Sequence, residues 1–266
     1  MTDPAQHRTS AINGPLWGAR ARDWAEVQEG QFAAGYDAVL AAAKVGTGTR
    51  LLDVGCGAGK AAMLAAGLGA RVSGIDAAPL LLKIARERVP DGDFHEGDLE
   101  DLPFADAGFD VVTGFNAFQF AGNPTRALSE ARRVTRPGGV VAVMTWGRPE
   151  GMEAASLVAA LRPLLPAPPP GAPGPFALSD PDRLSEFAAK AGLTMREVIE
   201  GETHWTYPDL ATALRGLNSS GVAIRAAGLS GEDAVSEAHA AALGPFLQPD
   251  GSFRIGARYM ALIALA

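Results

Sequence analysis

The stretch LLDVGCGAGK, residues 51–60, drives an apolar run straight into glycines at alternate positions, Gly55, Gly57 and Gly59. Four apolar or buried-type positions of that length read as a short strand, and Lys60–Leu68 reads as a helix. The turn between them has almost no side chains, so its backbone can approach a ligand and adopt conformations closed to other residues. Spacing separates the known glycine loops. A phosphate-binding loop needs four residues between its outer glycines, followed by Lys-Ser/Thr. Here three residues separate Gly55 from Gly59, and Ala61 follows Lys60. A dinucleotide loop of the form G-x-G-x-x-G would require glycine where Lys60 stands. What remains is acid first, Asp53-x-Gly55-x-Gly57-x-Gly59, between strand and helix.

Working outward, Ala70–Ile75 reads as a second strand closed by Asp76, and Pro79–Arg88 as a helix with proline in its first turn. Phe94–Gly97 is a weak third strand and Phe109–Gly114 a fourth. Pro124–Thr135 is helical, and Gly139–Thr145 is a fifth strand opened by Arg136-Pro137-Gly138. Strands alternating with helices in this way predict a doubly wound α/β fold with a parallel sheet covered on both faces. Upstream, Trp17 to Lys44 carries a helical pattern. Downstream, Gly151–Leu165 reads as helix, and the proline run Pro166–Pro175 as a stiff connector. A helix follows from Ser179 to Ala191, then a sixth strand over Leu193–Gly201. Two or three helices fill Tyr207–Leu243, and Phe253–Leu265 is a long last strand.

The ordered set of motifs resembles class I S-adenosylmethionine-dependent methyltransferases, closest to those that act on small molecules in quinone and natural-product pathways. The residues carrying the resemblance are Asp53 to Gly59, the run VSGIDAAPLLLKIA ending its strand in Asp76, GDLEDLPF with Asp98, FDVVTGFNAFQF with Asn116, and VTRPGGVVAVMTW. They span about Trp17 to Trp146. The resemblance implies a Rossmann-like, seven-stranded, mostly parallel sheet whose last strand is antiparallel, with a helical lid. It also implies S-adenosylmethionine as cofactor, leaving as S-adenosylhomocysteine.

On that reading Gly55, Cys56 and Gly57 line the cofactor, and amides at the following helix start meet the carboxylate of its methionine part. Asp53 holds the ammonium, directly or through water. Asp76, with Ala77 beside it, accepts both ribose hydroxyls, a role that an adjacent 2′-phosphate would not tolerate. Leu81 stands where the family commonly has a methionine against the adenine, and Asp98-Leu99 offers an acceptor for the adenine amino group. Asn116 lies beside the sulfonium; Phe118 is either core or site. Trp17 and Trp24 either close over the cofactor or pack into the core.

Ligands of such sheets bind beyond the carboxyl ends of the strands. A single domain over residues 1–266 is therefore expected, with a helical cap over 15–45 and lid insertions over 147–178 and 205–244. Trp146 and Tyr207 are candidate substrate contacts, and Asn218 is either a polar contact or a helix cap. His204 is the best-placed base if one is used, or else a cap or surface histidine; His7, His95 and His239 receive no role. No helix pairs metal ligands at three or four spacing, so no metal is expected.

With 23 basic and 30 acidic side chains the net charge is −7, which argues against nucleic acid or an anionic membrane as the main partner. One cysteine excludes an internal disulfide. A polar N-terminus and the lack of a bilayer-length apolar run point to a cytoplasmic protein with a small-molecule substrate. The expected reaction is methyl transfer to a small, hydrophobic or aromatic acceptor. A cofactor-binding or non-methylating protein on the same fold, and a nicotinamide oxidoreductase, are the alternatives.

Overall fold

A computed structural model describes residues 9–167 and 175–266 of the chain. Among the described residues seven strands form one sheet: β1 (Arg50–Val54), β2 (Arg71–Asp76), β3 (Asp93–Glu96), β4 (Phe109–Phe115), β5 (Thr135–Trp146), β6 (Thr194–Tyr207) and β7 (Phe253–Leu265). Their order is β3-β2-β1-β4-β5-β7-β6. The first five are mutually parallel, and β7 runs antiparallel to both β5 and β6. This is the sheet expected from the sequence.

The apolar run that opens the glycine loop explains the layering. Leu51 points into one core layer with Val39, Leu40, Val111 and Ala142, whereas Leu52 and Val54 enter the opposite layer with Val112, Leu128 and Val141. A strand buried on both faces reads as a near-continuous apolar run, not an alternating one, and the buried positions of β1 depart from it only at Asp53. The helices that cover these faces begin and end where their chemistry requires. In chain order they are α1 (Ser10–Gly18), α2 (Ala21–Asp23), α3 (Ala33–Ala42), α4 (Lys60–Gly67), α5 (Pro79–Arg88), α6 (Pro124–Val134), α7 (Ala154–Ala160), α8 (Pro181–Lys190), α9 (Leu210–Leu217), α10 (Gly221–Ser230) and α11 (Glu232–Leu243). Proline opens α5, α6 and α8, where its missing N–H leaves no bond unmade. Asn123, Asp180, Asp209 and Ser220 accept hydrogen bonds from the first-turn amides of α6, α8, α9 and α10.

Two regions differ from expectation. The N-terminal helix is not continuous: α2 runs into a π-helical turn over Trp24–Gln28 and a 3₁₀ turn over Glu29–Phe32 before α3. These turns swing Gln28 and Glu29 inward, and both side chains are buried and partnered. Strand β6 extends to Tyr207, six residues past its expected end, because β7 supplies a pairing partner along its whole length. The proline connector lies largely on residues 168–174, outside the described residues, and His7 lies outside them as well. Among the described residues no helix is long and apolar enough to cross a membrane.

Candidate active site at the carboxyl edge of the sheet

The three loop glycines all have left-handed backbones, with φ of +71°, +55° and +80°. A Cβ on Gly55 would stand 2.5 Å from the Ala117 Cβ, and one on Gly59 would stand 2.9 Å from that of Ala85. Those two glycines let the loop nest against its neighbours. Gly57 faces a cavity under the N-terminal segment, where Trp24 and Glu29 lie nearest. Asp76, at the end of β2, accepts the Gly57 amide at 2.9 Å and the Ala78 amide at 2.8 Å. Sequence-distant backbone is thereby locked to the acid.

The cavity encloses about 260 Å³ and runs from this crevice to the helices beyond β5 and β6. At one end its wall includes Gly55, Gly57, Asp76, Ala77, Leu81, Asp98, Leu99 and Asn116. Helix α1 roofs that end. Gly14 sits so close to Ala77 that a Cβ would overlap its carbonyl, and Ser10 Oγ donates to Asp98 at 2.6 Å. Trp17 and Trp24 meet edge to face at 4.9 Å, and both line the cavity. Asn116 holds a left-handed backbone at φ +50°, which its short polar side chain tolerates. Phe118 is fully buried in the core layer, off the wall.

The opposite end is an aromatic chamber. Phe32 lies 5.2 Å from Trp146 and 5.7 Å from Trp205, and Trp146 lies 5.5 Å from Trp205, ring centre to ring centre. His239 of α11 also lines the cavity; its Nδ1 is 2.6 Å from Asn218 Oδ1, and Asn218 Nδ2 donates to Ser236 Oγ at 2.9 Å. Burial pushes His239 down to about 4, so its ring is neutral near pH 7.

Several expectations need correcting. Alternation along β6 turns His204 to the exposed face and Trp205 inward, so the expected base is on the outside and the neighbouring indole is on the wall. Tyr207 is buried beneath the N-terminal cap, where its hydroxyl donates to Gln28 Oε1 at 2.7 Å, and it is not on the wall of this cavity. Asn218 stands behind His239, not on the wall. Asp53 and Cys56 lie beneath the glycine loop; Asp53 accepts the Thr113 hydroxyl at 2.8 Å. The amide at the approach to α4 is already engaged: Ala58 N donates to Glu29 Oε1 at 2.9 Å, and Arg88 pairs with Glu29 Oε2. A carboxylate from elsewhere would meet Glu29 there, not bare amides.

His239 was findable, since Val235, His239 and Leu243 follow one another at four-residue spacing on the buried face of α11. Trp205 needed only the extra turns of β6. Glu29 had no such signal, because its inward aim depends on the π-helical turn.

Electrostatics select the guest. Burial raises Asp53, to about 7, and raises Glu29 and Asp76 as well. The cavity wall carries acids but no lysine or arginine among the described residues. Such a site favours a cationic ligand, which would relieve the carboxylates' mutual repulsion. S-adenosylmethionine, with a sulfonium, an ammonium and a nucleoside whose hydroxyls suit Asp76, fits the donor set and the glycine crevice.

Residues 52–143 match a family model described as a methyltransferase domain. The chain is 40% identical over 102 residues to demethylmenaquinone methyltransferase of Renibacterium salmoninarum, covering 38% of this chain and 43% of that protein. It is 39% identical over 98 residues to malonyl-[acyl-carrier protein] O-methyltransferase of Serratia marcescens, covering 37% and 38%. The alignments thus span less than half of these relatives' lengths. Among solved structures, the [4+2]-cyclase SpnF superposes with a TM-score of 0.59 at 22% identity, over 97% of this chain and 93% of that one. A SAM-dependent methyltransferase of Aquifex aeolicus gives 0.51 at 18%, over 68% and 91%. At these identities the structural likenesses establish the fold alone. Sheet order and ordered motifs give this chain the class I methyltransferase Rossmann-like fold, and its residues 52–143 match the methyltransferase-domain family.

Proposed function

We propose that the protein transfers a methyl group from S-adenosylmethionine to a small, hydrophobic or aromatic organic acceptor. The observation that carries this reading is continuity: the acid-rimmed glycine crevice and the aromatic chamber are two ends of one cavity. The cofactor supplies a methyl carbon already activated by a sulfonium.

The chain's own work is then binding and alignment. The Asp76 carboxylate spends one contact per oxygen on the amides of Gly57 and Ala78, which leaves lone pairs for ribose hydroxyls. Leu81 and Leu99 offer apolar surface to an adenine, and Asp98, already receiving Ser10, can also receive its amino group. Asp53 acts from beneath the loop through its charge, and Gly55 and Asn116 present backbone near the methionine part. Trp146, Trp205 and Phe32 hold a flat acceptor and exclude water. Tyr207 supports the cap by fixing Gln28. The cap over 15–45 and the lid segments over 147–178 and 205–244 belong to one domain in this reading.

Calorimetric titration with S-adenosylhomocysteine tests it. Asp76→Ala is expected to weaken binding at least tenfold, because hydrogen bonds to a charged acceptor contribute about 1.5–3 kcal/mol. Unchanged affinity removes Asp76 from the site, and binding of a nicotinamide cofactor alone rejects the reading. The likeness to a cyclase of the same fold gives the second reading, chemistry without methyl transfer. Cofactor carrying a labelled methyl separates the two: label enters a product in the first and stays on the cofactor in the second.

A further inference from the structure

We propose that His239 is the proton acceptor of the aromatic chamber, and that the substrate is accordingly a planar aromatic alcohol bound in its neutral form. This rests on the methyl-transfer reading and adds both a base and a substrate class to it.

The argument begins with hydrogen-bond bookkeeping. Asn218 Nδ2 is committed to Ser236 Oγ, so the Asn218 oxygen faces the imidazole. An oxygen accepts, and His239 Nδ1 must therefore carry the proton. In a neutral ring that leaves Nε2 with a free lone pair. His239 is only 3% exposed, yet it lines the cavity, and no side chain or backbone group among the described residues is bonded to its Nε2. An acceptor lone pair left free on a cavity-lining ring is open to a donor from a ligand.

The surroundings narrow the donor. The cavity wall beyond the crevice carries the rings of Phe32, Trp146 and Trp205 and the aliphatic side chains of Leu157, Leu161 and Leu217, and the Ser220 hydroxyl already donates to Leu217 O while receiving Ala223 N. The side-chain partner of His239 among the described residues is the neutral Asn218, not a carboxylate that would pair with a charged amine. An aromatic alcohol matches both features: its ring stacks against Trp146 and Trp205, and its hydroxyl donates to Nε2. In the transfer step the acceptor oxygen forms a bond to the methyl carbon as the carbon–sulfur bond breaks, with that electron pair staying on sulfur. The hydroxyl proton passes to His239 Nε2, and the imidazolium releases it to water on product departure. The products are an aryl methyl ether and S-adenosylhomocysteine.

The test reads the imidazole directly. Protein with ¹⁵N-labelled histidine, assigned with His239→Gln, is examined at pH 7 by long-range ¹H–¹⁵N NMR, alone and with 1-naphthol or naphthalene. The expected result is a neutral His239 protonated at Nδ1, with its Nε2 resonance moved by 1-naphthol and left in place by naphthalene. An Nε2-protonated tautomer, or an Nε2 signal indifferent to 1-naphthol, overturns the proposal. S-adenosylhomocysteine binding is measured on the same samples. Its failure would defeat the methyl-transfer reading, whereas its success beside a silent Nε2 defeats only the role of His239. On an acceptor that the wild type methylates, His239→Gln should lower kcat about 100-fold, with S-adenosylhomocysteine affinity within twofold of wild type. Retention of kcat within threefold also overturns the proposal.

Discussion

The two ends of the cavity are built from different material. The crevice end is backbone: Gly55 and Gly57 follow β1, Asp76 ends β2, and two amide bonds to Asp76 fasten these pieces together. The chamber end is side chain: Phe32 comes from the N-terminal turns, Trp146 from β5 and Trp205 from β6, and His239 of α11 lines the same cavity. A crevice fixed by sheet register admits one kind of guest, since any added Cβ meets a neighbour. A chamber of packed rings changes its shape with each substitution and leaves the crevice alone. That division explains how a shared cofactor end can accompany different acceptor ends.

If the division is real, damage should stay on its own side. Gly55→Ala forces a left-handed backbone on alanine and drives its Cβ against Ala117. It should cost about 3 kcal/mol of stability, read by urea unfolding, and lower S-adenosylhomocysteine affinity about 100-fold. Glu29→Gln keeps an oxygen for the Ala58 amide but leaves Arg88 facing a neutral partner in a largely buried site. Because a broken buried pair strands the remaining charge, a loss of about 2–3 kcal/mol is expected by the same measurement. A variant as stable as wild type would show the cap is not tied to the loop through this pair. Trp146→Ala removes ring contacts to Phe32, Trp205 and Phe176. It should weaken 1-naphthol binding about tenfold and leave cofactor affinity within about threefold; equal losses at both ends would abolish the distinction.

The smallest expected effect is on pH. Asp53, raised to about 7 by burial, holds a proton in the folded state that its unfolded form has lost above 3.8. Stability from this group is therefore greatest below 3.8 and declines as pH rises towards 7, a slope that Asp53→Asn should flatten. A cationic cofactor favours the ionised carboxylate. Its affinity should rise several-fold from pH 6 to 8, with proton release seen as a binding enthalpy that depends on the buffer. A pH-independent affinity would take Asp53 out of the field acting on the cofactor.

The same contrast governs what could be read from residues alone. Gly55, Asp76 and Asn116 could be picked out because each closes or directly follows a strand with an apolar run, whereas Asp98 follows the weak strand Asp93–Glu96 and was named from the resemblance. The first five strands followed from their apolar runs, whereas the seven-stranded sheet with its antiparallel last strand was expected from the resemblance. His204 stayed open between a base and a surface histidine because β6 is a half-exposed edge strand, with too few apolar residues to mark where it ends. One parity step then decides whether His204 or Trp205 faces inward. Glu29 was invisible for a different reason. Glutamate is ordinarily a surface residue, and only the π-helical turn and the Arg88 guanidinium make an inward position tolerable.

A crystal structure with S-adenosylhomocysteine tests the central claim most directly. The account predicts the ribose hydroxyls within hydrogen-bonding distance of Asp76, the adenine near Leu81 and Asp98, and the sulfur facing Trp146 across Asn116. A nucleoside bound away from the Gly57 crevice, or lying with its sulfur turned from the aromatic chamber, would contradict it.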